Sequence, residues 1–571
     1  MTSTEAPWRD IARRKQAQRA AAIPRKWRLR NLPKEGPQYG SQPVLHIPLD
    51  GRILSPSELA ITELYNAKTL VDALSTNKLT CLAVTTAFCK RAAIAQQVTN
   101  CLTEPLFTSA LARAKELDNY LSSNGNPMGP LHGLPITVKD SFNIIGVDSS
   151  LGLASLCFKP ATSNSTLVDL LLSLGCVIIA KTNVPQTLAA LDSNNNVFGR
   201  TMNPINRRMT AGGSSGGEGV IVAMKGCMVG WGTDIGGSIR IPAMCNGVYG
   251  FKPSNGRVPY GKQQDAGGVA GMSRIGMQAV AGPLARSVED IDFVMREVVP
   301  RAELWGEDCL PATWGSGMAV TRSGENDKFV IGIMRGDGNC ELLPPIRKVI
   351  DEVAEVLRRT PGVQVVDVPT PPAWTKCQSL MNKFFGIDGG EAMADLIEET
   401  GEPLVPWMVG RFQRGKPRSL REVAELQARR TDLEREMLDV WNSNTDSGRV
   451  RKIDAMVCPV AAHPVPEIDR WNAVGYTSSF VLLDYPAGTV PVRDFNKDDL
   501  ELGKEMGGKI IGGWDRRSRE LWDEKVVDRT VYLGTPLSVQ VITPRQQDQR
   551  LVVAMRIIDE AIHQKKPMSK L

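Results

Sequence analysis

The residues of this chain most able to do chemistry sit in two glycine–serine clusters. The first is Gly212-Gly213-Ser214-Ser215-Gly216-Gly217, and the second is Asp234-Ile235-Gly236-Gly237-Ser238. Glycines this dense let backbone N–H groups approach a ligand without hindrance from a Cβ. A loop of adjacent N–H donors ending in a serine can hold the negative charge that develops when a serine oxygen attacks a carbonyl carbon. The run between the clusters, Val220-Ile221-Val222-Ala223-Met224, is too apolar for a surface loop. It is a buried helix or a buried strand, which periodicity cannot separate over so short a length.

Three further motifs accompany the clusters in order. GLPITVKD stands upstream at Gly133–Asp140, GTDIGGSIRIPA spans Gly232–Ala243, and GVYGFKPS follows at Gly247–Ser254. With GGSSGGEG at Gly212–Gly219, this set resembles the amidase signature family of serine hydrolases. The resemblance implies hydrolysis of a carboxylic amide to the acid plus ammonia or an amine. It implies a Ser–cis-Ser–Lys triad with Lys139 as base, Ser214 as the serine after a cis peptide, and Ser238 as nucleophile. Ser214 follows Lys139 by 75 positions and Ser238 follows Ser214 by 24, spacings like those of the family.

Amide hydrolysis needs a nucleophile, a base that later protonates the leaving amine, and stabilisation of the tetrahedral oxyanion. On this reading the N–H groups of Ile235, Gly236, Gly237 and Ser238 form the oxyanion hole, where each donor is typically worth about 2.7–4 kcal/mol. Ser214 relays a proton between Ser238 and Lys139. Lys139 can be a base only when neutral, so burial must depress its pKa. Leu134, Pro135, Ile136 and Val138 supply apolar surroundings for that. The resemblance also places Leu188 near the acyl side of the pocket, and gives Ser215 and Asp234 the task of holding the loops. No metal and no cofactor is expected.

Other motifs fail on spacing or context. Gly230-Trp231-Gly232 followed by Gly236 gives GxGxxxG, where a dinucleotide fingerprint needs GxGxxG. The GGSSGG loop lacks the GK[ST] of a phosphate cradle. Ser75-Thr76-Asn77-Lys78 has the SxxK form and Lys181-Thr182-Asn183 is similar to KTG, but no SDN lies between them. Of the four histidines, His132 precedes Gly133-Leu134-Pro135 and reads as structural.

The elements that must carry these residues alternate. Ser55-Pro56-Ser57-Glu58 is a capping box with proline at the first helical position. Helices are expected over 69–76, 80–95, 106–121 and 166–174. Leu134–Asp140 reads as a short buried strand bearing Lys139, and Val177–Ala180 as a β-branched strand. Helix, strand and loop in this rhythm predict an α/β fold, and the resemblance makes it a mixed sheet of about eleven strands between helical layers. Gly282-Pro283-Leu284-Ala285-Arg286 reads as a turn before a helix. Farther on, strands are expected at 330–333 and 363–368, and helices at 344–359 and Leu420–Trp441. The stretch 399–450, with Trp407, Met408 and Phe412, falls where this family walls its substrate pocket.

Length alone, at 571 residues, suggests two or more domains. Motifs running from about Leu79 to Val553 without a linker argue instead for one catalytic domain over 51–571, preceded by an arm at 1–50. The hydrophobic share of 42% and charged share of 23% are ordinary for a globular protein. No run of 18 apolar residues occurs, and the N-terminus is charged where a signal peptide is apolar. An integral membrane segment is therefore not expected, and a cytoplasmic location is. The net charge of +6 owes much to Arg13–Arg30, read as a solvated helix and an arm packed on the main domain rather than a nucleic-acid patch. The eleven cysteines are scattered without CxxC, which suggests free buried thiols.

The partner expected is a small-molecule amide, with a homodimer left open and nucleic acid excluded. By resemblance the layout is nearest to fungal acetamidase-type and fatty acid amide hydrolase-type members. Two rivals differ in kind. A glutamine amidohydrolase subunit of an amidotransferase would co-purify with a partner, and the long arm argues against it. A catalytically inactive binding protein of the same fold would not react with a fluorophosphonate.

Overall fold

A computed structural model describes residues 6–33, 42–50, 52–265, 275–315, 328–445, 448–470, 474–503 and 506–563. Its centre is a sheet of eleven strands. In chain order these are β1 (Leu102–Pro105), β2 (Pro135–Lys139), β3 (Val177–Thr182), β4 (Val229–Asp234), β5 (Tyr249–Lys252), β6 (Val280–Ala285), β7 (Phe329–Ile333), β8 (Val363–Asp367), β9 (Ala455–Pro459), β10 (Ala487–Asp494) and β11 (Pro536–Ile542). They lie side by side in the order β1-β3-β2-β4-β6-β5-β10-β11-β9-β7-β8. Pairing is parallel for β3 with β2, β2 with β4, β9 with β7 and β7 with β8, and antiparallel elsewhere. The sheet is therefore mixed, as the sequence implies, and helices pack against it to make an α/β fold.

Burial explains why the central strands read as apolar runs rather than as alternating ones. Every residue of β2, β3, β4, β9 and β11 is buried, as expected where both faces of a sheet are covered. The capping box at Ser55 is present, with Ser55 Oγ accepting from the Glu58 N–H and the Glu58 carboxylate from the Ser55 N–H. The ambiguous apolar run after the first glycine–serine cluster is a helix, Gly216–Ala223, not a strand.

Two expectations change. Gly282–Ala285 is not a turn but most of β6, paired with β4 through Trp231↔Pro283 and Gly232↔Gly282. Proline cannot donate to a ladder, yet it fits here because β5 pairs with β6 only at Leu284 and Ala285. Pro283 thus lies just past the point where β5 stops pairing with β6. The second change concerns the N-terminal arm. Its helix α1 (Pro7–Ala21) is docked rather than solvated, with Lys15 1% exposed. Gln16 Nε2 donates to the Val197 carbonyl at 2.6 Å, and Arg19 donates to the Leu102 carbonyl of edge strand β1 at 2.9 Å. Residues 34–41 of the arm lie outside the described residues.

Candidate active site

Lys139 is the last residue of β2 and is wholly buried. Its Nζ lies 2.7 Å from Ser214 Oγ and 2.7 Å from Thr233 Oγ1. Burial pushes its pKa down to about 7, against an opposing pull from the Asp234, Glu218 and Asp140 carboxyls. Desolvation therefore wins over attraction, and the amine is available as a base near neutral pH. Its two partners suit a neutral amine. The Ser214 hydroxyl can donate into the nitrogen lone pair while an N–H donates to Thr233 Oγ1. The Tyr260 phenol lies near Thr233, and burial pushes its pKa up to about 12.

Ser214 precedes helix α2 (Gly216–Ala223), and the Gly213–Ser214 peptide is cis. A Cβ on Gly213 would come within 2.6 Å of the Ala190 carbonyl oxygen and 2.8 Å of the Asp192 nitrogen, so only glycine allows this close approach. The loop against it carries Leu188, half-buried, with Thr187 and Leu188 both left-handed at φ 65° and 62°. Non-glycine residues adopt that region in succession only where the surroundings impose it. Ser215 holds the neighbouring strand end: its hydroxyl donates to the Thr233 carbonyl and accepts from the Thr233 N–H, both at 3.3 Å. The Ser215 N–H donates to the Ser238 carbonyl at 3.2 Å, which joins the two glycine–serine clusters directly.

Ser238 follows β4 and stands just before helix α3 (Arg240–Asn246). Its loop is built around Asp234. The carboxylate accepts from the Gly237 N–H at 2.8 Å and from the Ile239 N–H at 3.2 Å, and pairs with Arg240 through Nε at 3.0 Å and Nη2 at 2.9 Å. Burial would raise this carboxyl, but the Arg240 guanidinium outweighs it and holds the pKa below the ordinary value. Arg240 also donates to Gln540 Oε1 in β11 at 2.7 Å. Such a bidentate, fully partnered pair is the form in which buried charges are tolerated.

At Gly237 the structure departs from the sequence reading. The N–H of Gly237 is engaged by Asp234, and the Gly236 carbonyl at the other end of the same peptide accepts from Thr477 Oγ1 at 2.6 Å. That peptide is fixed from both sides, so it is scaffold rather than an open donor. Gly237 has φ 132°, and a Cβ there would meet Thr477 Oγ1 at 2.4 Å, so glycine is required. The N–H groups of Ile235, Gly236 and Ser238 meet no comparable acceptor among the described residues.

Thr233, Arg240, Thr477 and Gln540 were not singled out from sequence. The first two lie inside the motif Gly232–Ala243, adjacent to or near Asp234, and Gln540 lies within β11. Thr477 belongs to a helix, Gly475–Leu482, that no periodicity announced because all eight of its residues are buried.

Known proteins share both sequence and fold with this chain. A sequence profile of the family described as Amidase matches residues 83–552. An acetamidase of Emericella nidulans is 35% identical over 548 residues, covering 95% of this chain and 96% of its own. An acetamidase of Aspergillus oryzae is 33% identical over 573 residues, covering 98% and 99%. The solved structure of a fatty acid amide hydrolase superposes with a TM-score of 0.85 at 28% identity, covering 97% of this chain and 95% of that one. The protein is thus a hydrolase acting on amides. More closely, the chain belongs to the amidase signature family.

Proposed function

We propose that this enzyme cleaves its amide through an acyl-enzyme on Ser238, with Ser214 and Lys139 as proton relay. Ser238 Oγ attacks the amide carbonyl while its proton passes to Ser214 Oγ. The Ser214 proton passes to Lys139 Nζ. The tetrahedral oxyanion is received by the N–H groups of Ile235, Gly236 and Ser238. Lys139 then returns a proton through Ser214 to the leaving nitrogen, ammonia or amine departs, and an ester on Ser238 remains. Water hydrolyses that ester with the same relay, releasing the acid. The observation carrying this reading is the 2.7 Å contact of a buried, pKa-depressed Lys139 with Ser214.

The substrate class we favour is a small soluble amide. The acetamidase relatives support it, and no helix among the described residues is long and apolar enough to cross a membrane. Leu188 borders the acyl side on this reading. Residues 51–571 act as one catalytic unit, and 1–50 as its arm.

A fluorophosphonate should label Ser238 covalently, and a panel of amides of graded acyl length should show turnover highest at the short end. An adduct mapped by mass spectrometry to another residue sinks the nucleophile. Turnover rising steadily with chain length sinks the substrate class.

A further inference from the structure

One buried ionisable group beside Lys139 has no step in this mechanism. Glu218 lies in the first turn of α2, four residues after Ser214, and is 0% exposed. Its Oε2 is 2.5 Å from Thr137 Oγ1 and its Oε1 is 2.8 Å from Thr182 Oγ1. Both threonines are immediate neighbours of Lys139. Thr137 precedes it by two on β2, hence on the same face. Thr182 is its register partner on β3. Among the described residues the cation acting on Glu218 is Lys139, through charge and not through a direct hydrogen bond.

We propose that Glu218 is a positioning residue, a buried carboxyl working as the neutral acid, which ties the loop bearing Ser214 to the strands around Lys139. This inference rests on the proposed role of Lys139. Two hydroxyl anchors on two strands set where α2 begins, and therefore where Ser214 Oγ stands relative to Lys139 Nζ.

The protonated form fits the hydrogen-bond inventory. A carboxylic acid needs one acceptor for its proton and can accept at the other oxygen. Thr182 donates to Oε1. Thr137 can receive the Oε2 proton because its own hydroxyl has another acceptor, Cys227 Sγ, at 3.3 Å. Burial raises the Glu218 pKa to about 8, against its two threonine bonds and Lys139. The titratable groups facing it are Lys139 on β2 and the thiols of Cys101 and Cys227, both pushed up by burial. Facing Lys139 are also Asp234 on β4 and Asp140. A carboxylate at this spot would hold Lys139 as ammonium and make it a poorer base. The neutral acid keeps the tether without that charge.

A carboxamide reproduces the neutral acid, with one acceptor and one donor, so Glu218→Gln separates the tether from the charge. The readout is the rate of Ser238 labelling by a fluorophosphonate as a function of pH, which needs no knowledge of the natural substrate. Glu218→Gln should label within about threefold of wild type, with the acidic limb moved by less than about 0.3 pH unit. Glu218→Ala, folded by circular dichroism, should label about 100-fold more slowly. If Ala does not fold, the Gln variant alone decides. A Gln variant as slow as Ala, or an acidic limb about one unit lower in Gln, overturns the proposal, as does a folded Ala variant with normal rates. Failure of wild type to label at Ser238, or a limb that survives Lys139→Ala, would instead overturn the proposed triad and is read separately.

Discussion

Two buried lysines of this protein have opposite surroundings and opposite protonation behaviour. Lys139, at the end of β2, has among the described residues only hydroxyl oxygens as hydrogen-bond partners, Ser214 and Thr233. Lys15, in α1, is 1% exposed and meets the carboxylates of Glu104 at 2.5 Å and Asp148 at 2.7 Å. Desolvation works against the ammonium at both sites. At Lys139 it prevails and the pKa falls to about 7. At Lys15 the two carboxylates more than offset it, and the pKa is raised. Burial alone therefore does not fix a lysine's protonation; burial with neutral partners lowers its pKa, and burial with carboxylates does not. One lysine is arranged to give up its proton and the other to keep it.

The largest effect expected from breaking this contrast is at Lys139. Lys139→Ala should lower kcat/KM by about 10⁴-fold, the upper end for a general base. The sign of the wild-type pH profile follows from the depressed pKa. Activity should rise as pH climbs through about 7, where the amine loses its proton, and reach a plateau above. The limb is a macroscopic property of the coupled site. An active Lys139→Ala enzyme with the same limb would show that another group is the base.

The next largest is at Lys15. Lys15→Met leaves Glu104 and Asp148 buried without their shared cation, and breaking such a pair typically costs about 3–5 kcal/mol. The measurement is the urea midpoint, with activity per folded molecule staying near wild type. A loss of activity with unchanged stability would mean that α1 acts on the catalytic centre rather than on the fold.

How much of this could be read in advance follows the range of the interactions. The glycine–serine clusters, the capping box at Ser55 and helix Leu420–Trp441 are local patterns, and the structure has them where the sequence puts them. Partnerships across the chain are invisible in one sequence. Lys15 reaches Asp148 over 133 residues, Thr477 reaches Gly236 over 241, and Arg240 reaches Gln540 over 300. Local signals can also mislead. Gly282-Pro283 has turn composition, yet β4 supplies a partner strand that overrides it. The place of Gly237 in a run of glycines suggests an open N–H donor, while its acceptor in the structure is the Asp234 side chain three residues before.

A smaller effect should come from Thr233, which accepts from Lys139 at 2.7 Å. Thr233→Val keeps the shape and removes the acceptor. A hydrogen bond stabilises the ammonium more than the amine, so its loss should lower the Lys139 pKa and move the acidic limb to lower pH. The rate should fall about tenfold, as for one hydrogen bond of about 1.4 kcal/mol. A limb moving upward instead would mean that Thr233 stabilises the neutral form.

The smallest effect, and the sharpest check on the comparison, concerns a third lysine. Lys181 on β3 is also wholly buried, with a pKa lowered by burial to about 8. By pKa alone it looks as much a base as Lys139. Its place in the sheet says otherwise. Lys139 is in register with Thr182, so Lys181 is in register with Val138, and side chains alternate along a strand. Lys181 therefore points to the face opposite Lys139. There it donates to the Asp148 carbonyl and to Ser149 Oγ, both at 2.6 Å, in the network that holds Lys15. Lys181→Met should leave the acidic limb within about 0.3 pH unit of wild type and the rate within about threefold, since the charge removed lies across the sheet from Lys139 and Ser214. The pH profile of kcat/KM, measured in parallel with Lys139→Ala, provides the check. A shift of about one unit would show that the sheet does not insulate the two networks, and that the charge on the arm's side of the molecule helps to set the base.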